Sequence, residues 1–194
     1  MTLTAILFAG GESRRMGTDK ATLLFQGEPL WSRQLQTLRA LNPAKILISA
    51  RSQPSWQPAD VETVLDEVSG QGPLGGLTAA LAAMKTTHLL ALAVDLPQMT
   101  STHLESLWKL AGPGCGVVPR SASGLEPLCA VYPAESLSAA RSTLSSGEPS
   151  MHRFINTLAD CNQVRFHDLA NDDLPLYRNL NTPADFPDFM HPPA

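Results

Sequence analysis

Leu3-Thr4-Ala5-Ile6-Leu7-Phe8-Ala9 runs directly into Gly10-Gly11, and the class of fold follows from that junction. A short apolar run closed by glycines reads as a strand, and the absence of a basic start separates it from a signal peptide. Because the run lacks polar alternation, both its faces must be covered, as in a largely parallel sheet lying between helices. Similar runs return at 44–50, 61–65, 88–94, 116–119, 128–132 and 164–167. Helical spacing fills the intervals at 31–41, where Trp31, Leu35, Leu38 and Leu41 share a face, and at 74–84, 101–110, 135–144 and 150–158. Strands alternating with helices predict an α/β fold with a mostly parallel central sheet. With no internal repeat or linker, one domain is expected over 1–194. A short last helix is expected from Thr182 as N-cap and Pro183 at its first position, with a frayed tail at 190–194.

The chain has 194 residues, 43% of them apolar and 16% charged, which excludes a disordered segment. A chain of this length buries roughly 70% of the surface its unfolded form exposes, enough for a core without metal or disulfide staples. A net charge of −4 argues against nucleic acid as a partner, so an anionic ligand must be held locally. No apolar stretch approaches the ~18 residues of a membrane span. Cys115, Cys129 and Cys161 are odd in number and form no metal-ligand pattern, so they read as core thiols of a cytoplasmic protein.

Chemistry concentrates in three segments. Gly10-Gly11-Glu12-Ser13-Arg14-Arg15-Met16-Gly17-Thr18-Asp19-Lys20 follows the first strand. Paired glycines bring backbone N–H groups close to an anion, and Arg14, Arg15 and Lys20 supply charge, so the loop reads as a phosphate grip; the alternative is a plain turn with solvated cations. It is neither a Walker A loop, since Thr18 follows Gly17, nor a dinucleotide fingerprint, since Gly10 and Gly11 are adjacent. The second segment, 89–97, carries an apolar strand into Asp95, which can reach a divalent cation or cap the following turn. In the third, Asn179 and Asn181 precede the expected last helix, either as turn formers or near an anion.

Taken together, residues 7–20 resemble the L-A-G-G-x-S-x-R-M-G-x-D-K signature of MobA-type nucleotidyltransferases. Gly72-Pro73-Leu74-Gly75-Gly76 resembles that family's G-P-L-x-G element, Val94-Asp95-Leu96-Pro97 its C-D-x-P, Glu126-Pro127-Leu128-Cys129-Ala130 its E-P-L-x-A, and 179–185 its N-x-N-T-P-x-D. The last element is similar to the molybdenum cofactor guanylyltransferase branch. The resemblance implies a three-layer α/β/α, Rossmann-like nucleotidyltransferase fold. It also implies transfer of GMP from GTP to molybdopterin with magnesium, and molybdoenzyme maturation proteins as partners. Relatives of the same fold acting on cytidylyl or sugar-phosphate substrates, or a silent nucleotide- or pterin-binding protein, are the competing readings.

Carried over by position, the resemblance implies that Phe8, Ala9, Gly10 and Gly11 line the nucleotide. Arg15 and Lys20 would hold its phosphates, Asp66, or else Glu67, would lie near the nucleoside, and Asp95 would hold magnesium. Arg15, Lys20 and Asp95 would then be the catalytic residues, and Asn179 and Asn181 would meet either the acceptor or the metal. Ser49 stands where a nucleoside-contacting Asn is common, and it is shorter and lacks the amide. Gly75, Gly76 and the 126–130 element are the candidates for the pterin. The acceptor is a phosphate monoester whose second pKa lies near ~6, so no general base is required. That fits the absence of any acid–base motif around His88, His103, His152, His167 or His191. Trp31, Trp56 and Trp108 are expected to serve packing.

Overall fold

The computed structural model describes residues 1–10, 19–65, 71–147 and 149–180. In chain order its elements are β1 (Leu3–Phe8), β2 (Leu24–Phe25), β3 (Glu28–Pro29), α1 (Leu30–Arg39), β4 (Lys45–Ala50), β5 (Glu62–Leu65), α2 (Gly72–Ala83) and β6 (His88–Ala93). They continue with α3 (Ser101–Leu110), β7 (Gly116–Ser121), β8 (Gly124–Leu125), β9 (Cys129–Pro133), α4 (Ser136–Ser145), α5 (Met151–Asp160) and β10 (Val164–Asp168). Short 3-10 turns lie at Lys20–Thr22 and Asn171–Tyr177. The last helix expected from Thr182 and the tail lie outside the described residues.

Among the described residues, eight strands form one sheet in the order β10-β7-β9-β6-β1-β4-β5, with β8 paired to β7. β1 is the central strand, parallel to both neighbours, with Ile6 opposite Leu47 of β4 and Ala91 of β6. Its six residues are all buried and its side chains alternate between two cores. Ala5 and Leu7 join Leu35 and Leu38 of α1 and Leu104 and Leu107 of α3 on one face. Ile6 and Phe8 join Leu74 and Leu77 of α2 and Phe154 and Leu158 of α5 on the other. Covering both faces is what an unalternated apolar strand requires, and the result is a three-layer α/β/α arrangement.

Helix boundaries follow their caps. The Thr100 hydroxyl accepts the His103 N–H at the start of α3, and the Ser150 hydroxyl accepts the Arg153 N–H at the start of α5. α2 begins two residues before the expected Leu74, because Pro73 is tolerated in a first turn, where its missing N–H has no intrahelical role.

The sequence pattern does not show that β9 is reversed. It runs antiparallel to β6 and β7, yet is as apolar on both faces as the parallel strands, so side-chain pattern carries no sign of direction. The reversal explains Gly116, where a Cβ would fall 2.0 Å from the Val131 carbonyl oxygen. Of the cysteines, Cys129 is buried as expected, Cys115 is half-buried, and Cys161 is exposed on the turn after α5.

At the opposite end of the sheet from the glycine segment, His88 opens β6 fully buried. Its Nε2 lies 3.0 Å from the Gly112 carbonyl, its Nδ1 2.9 Å from the Thr87 hydroxyl, and the Trp108 ring meets it edge-on at 5.2 Å. A neutral ring with its proton on Nε2 donates to the Gly112 carbonyl. Burial, the largest influence, pulls its pKa below the ordinary 6.5. The unfolded chain therefore binds the proton more readily, and the stability due to the neutral ring, complete above ~6.5, is lost as pH falls below it. Thermal unfolding is expected to show Tm falling between about pH 7.5 and about pH 5.5, with His88→Gln flattening that fall. An unchanged slope in the variant would remove His88 as a cause.

Candidate active site

Three strand ends meet at the carboxyl edge of the sheet. Beyond β1, the N–H groups of Ala9 and Gly10 both donate to the Ser49 carbonyl of β4, at 3.0 and 3.1 Å. On the other side, the Val94 N–H donates to the Phe8 carbonyl at 3.0 Å, which carries the chain from β6 into Asp95. An open α/β sheet presents ligand sites at this edge. Gly10 is exposed, and a Cβ there would make only ordinary contact, 3.4 Å from the Ala50 Cα. Neither the fold nor the local backbone therefore demands that this residue be a glycine.

Lys20 and Asp95, 75 residues apart, form the centre of the edge. Lys20 Nζ donates to Asp95 Oδ2 at 2.8 Å, with the side chains 18% and 23% exposed. Lys20 opens a 3-10 turn capped by Asp19, whose Oδ1 accepts the Ala21 N–H at 3.0 Å. The backbone beneath Asp95 is held at three successive carbonyls. The Leu180 N–H donates to the Asp95 oxygen at 3.0 Å. From α1, Gln34 Nε2 donates to the Leu96 oxygen and Arg33 Nε to the Pro97 oxygen, each at 2.5 Å. Gln34 lies on the buried face between Leu30 and Leu38, and its Oε1 has no hydrogen-bond partner among the described residues.

Glu126 approaches from the loop between β8 and β9, its N–H on the Pro119 carbonyl at 2.9 Å. Its carboxyl is half-buried and its pKa is raised, chiefly by burial and secondly by the negative charge of Asp95. The 3-10 segment that ends at Tyr177 reaches the same region. Tyr177 Oη lies 2.8 Å from His103 Nε2 in the core, which anchors the chain just before Asn179 and Leu180. Burial lowers the pKa of His103 and pushes the Cys129 thiol up to about 12, so neither is poised to exchange protons near neutral pH.

The structure thus brings together Ala9, Gly10, Ser49, Lys20 and Asp95, with Asn179 exposed one residue from the Leu180 anchor. The Phe8 side chain belongs to the α2-side core, and the Ser49 carbonyl is already engaged twice. Gly11, Arg15, Asp66, Glu67 and Asn181 lie outside the described residues. Gly75 and Gly76 are both buried, and Gly75 lies under a groove of about 350 Å³ between α2 and α4 with Thr78 and Arg141. Arg33 and Gln34 escaped the motif reading; a polar residue on the apolar stripe of α1 was the available signal for Gln34. An NMR titration of Glu126 is expected to give a midpoint above the ordinary 4.5 that moves down, without reaching it, in Asp95→Asn, because burial remains. A midpoint unmoved by that change would show that the two carboxyls do not interact.

Residues 5–163 match the family described as MobA-like NTP transferase domain. The chain is 39% identical over 186 residues to a probable molybdenum cofactor guanylyltransferase of Opitutus terrae, covering 94% of this chain and 92% of that protein. Among solved structures, molybdopterin-guanine dinucleotide biosynthesis protein A of Archaeoglobus fulgidus superposes with a TM-score of 0.71 at 21% identity, over 94% of both chains. The 4-diphosphocytidyl-2C-methyl-D-erythritol synthase of Anaerococcus prevotii gives the same TM-score at 10% identity, over 95% of this chain and 92% of that one. At such identities the structures share a fold; the residues at the edge of the sheet decide the chemistry.

Proposed function

The chain belongs to the MobA-like NTP transferase family, and from that premise we propose that it transfers GMP from GTP to molybdopterin, forming molybdopterin guanine dinucleotide and pyrophosphate. The observation that carries the reading is the Lys20–Asp95 pair at the carboxyl edge of the sheet. A cation and a carboxylate side by side there suit a triphosphate, Lys20 meeting its oxygens and Asp95 a metal ion that those oxygens share.

The residues fit magnesium held jointly by protein and substrate. The Asp95 carboxylate is partly open to solvent, and the described residues include no group of three or more His, Cys, Asp or Glu that could enclose an ion. Magnesium sites commonly take one or two carboxylates and complete their shell with phosphate and water oxygens. Bound to Asp95, the ion would polarise phosphoryl oxygens and offset charge on the departing pyrophosphate.

In the transfer, an oxygen of the acceptor phosphate forms a bond to the α-phosphorus of GTP while the bond from that phosphorus to the bridging oxygen breaks, releasing pyrophosphate. The attacking oxygen is already largely anionic at neutral pH, since a phosphate monoester has a second pKa of ~6. The protein's task is therefore alignment and neutralisation of converging negative charge. Lys20, drawn from Asp95 toward the triphosphate, serves the second need, and Arg15 is assigned to it as well. Ala9 and Gly10 offer backbone to the nucleotide, with Phe8 and Ser49 supporting them, and the family resemblance assigns Gly11 to the same task and Asp66 to the nucleoside. Asn179 and Asn181 are assigned, on the same resemblance, to the acceptor or the metal. One domain over 1–194 suffices for this chemistry, and a site that draws on GTP suits the cytoplasm; no described helix is long and apolar enough to cross a membrane.

Wild-type protein given GTP, magnesium and molybdopterin is expected to release pyrophosphate and the guanine dinucleotide. Asp95→Ala should lower turnover by at least ~10²-fold without unfolding the chain, and Lys20→Ala should weaken GTP binding ~10-fold or more. Near wild-type turnover by Asp95→Ala would sink the assignment, and transfer from CTP in preference to GTP would move the protein to the cytidylyl branch of the fold.

A further inference from the structure

We propose that Trp56 is a positioning residue for Lys20, acting through the Asp19 carboxylate. The inference rests on the phosphate role of Lys20 proposed above, although its first readout does not. Asp19 has two acceptor oxygens, and both are engaged: Oδ1 takes the Ala21 N–H at 3.0 Å, closing the turn that presents Lys20, and Oδ2 takes the Trp56 indole N–H at 2.9 Å.

Asp19 adjoins Lys20 in sequence, and Lys20 is paired with Asp95 at 2.8 Å. Loss of the indole contact would free the Asp19 side chain to turn, and Lys20 would be held less firmly against Asp95. The loss would also loosen the turn, because one carboxylate oxygen would lose the partner that sets its orientation. The indole is suited to this task because its Nε1–H can only donate, so it holds an acceptor without offering an alternative contact.

The indole itself is fixed from two directions. Its ring stacks on Trp31 of α1, with centroids 5.1 Å apart and planes 15° from parallel. The loop that carries Trp56 is closed by the next residue. Gln57 donates from Nε2 to the Val61 carbonyl at 2.5 Å and accepts the Thr63 hydroxyl at 2.5 Å, tying the loop to the start of β5. A chain of contacts therefore runs from the packed helix α1 through Trp31, Trp56 and Asp19 to Lys20. Packing is the expected role for these tryptophans; in the structure one of them also spends its polar edge on the turn that carries a site cation.

The test uses Trp56→Phe, which removes the donor and keeps a smaller ring to stack on Trp31. A second variant, Asp19→Asn, has a single acceptor oxygen for two N–H groups. Lysine labelling by an acetylating reagent, read by mass spectrometry, reports how firmly Lys20 is held, with Lys45, Lys85 and Lys109 as references in the same molecule. In both variants Lys20 is expected to be labelled about 3- to 10-fold faster relative to the references, the range that follows loss of one hydrogen bond. GTP affinity should fall by a similar factor while guanosine affinity is unchanged, and Trp56→Phe should add nothing in a Lys20→Ala background.

Wild-type labelling of Lys20 in both variants overturns the proposal. Equal losses of GTP and guanosine affinity that persist without Lys20 also overturn it, since they mark a purely structural tryptophan. Failure of the wild-type protein to bind any guanine nucleotide would strike the proposed function instead, and the labelling ratio would still decide the positioning role.

Discussion

A carboxylate at the end of a fully buried strand is costly unless its charge is answered and its backbone is held, and Asp95 meets both conditions. The ammonium of Lys20 answers the charge. Donors on the carbonyls of Asp95, Leu96 and Pro97 come from the chain at Leu180 and from Gln34 and Arg33 of α1. Parts of the molecule far apart in sequence are thus tied to one three-residue stretch. What the ion pair supplies is a preset arrangement of opposite charges at the edge where the sheet meets its ligand.

That arrangement depends on the sheet below it. β1 lies between two parallel neighbours, so Gly10 and the loop after β6 emerge side by side at the same edge. The two cores hold β1 from both faces, which leaves the strand end little freedom to shift. The reversed strand β9 carries the 126–130 segment to the same edge, bringing the Glu126 carboxyl under the influence of Asp95 and the Leu128 carbonyl onto the Ala93 N–H at 2.7 Å. The 4-diphosphocytidyl-2C-methyl-D-erythritol synthase of Anaerococcus prevotii shares this fold, so fold sets where the chemistry occurs and edge residues set which chemistry it is.

The strands and helices were legible because burial on both faces leaves unbroken apolar runs, and helices leave 3.6-residue spacing. The β2–β3 hairpin was not: with two residues per strand and a turn at Gln26 and Gly27, both at positive φ, it is too short for any period to emerge. Nor was the direction of β9, for which two-sided burial removes the alternation that marks antiparallel strands. Within the candidate site, Lys20 and Asp95 stood out because Lys20 ends a recognisable motif and Asp95 follows an unbroken apolar run. The contacts that position them did not. Trp56 sits in a loop without periodicity, 37 residues from the carboxylate it holds, and Arg33 reads as an ordinary charged position of a surface helix. Gln34 did carry a mark, as a polar residue within the apolar stripe of α1, but no sequence rule says which carbonyl it would meet.

The most direct measurement is calorimetric titration of GTP, CTP, ATP and UTP into the purified protein with and without magnesium, since it examines the nucleotide site without the pterin acceptor. A site formed by the glycine edge, Lys20 and Asp95 for guanylyl transfer should bind GTP selectively and more tightly with the ion present. Equal binding of all four nucleotides, or preference for CTP or UTP, would contradict guanylyl specificity, and tight GTP binding indifferent to magnesium would contradict the role given to Asp95.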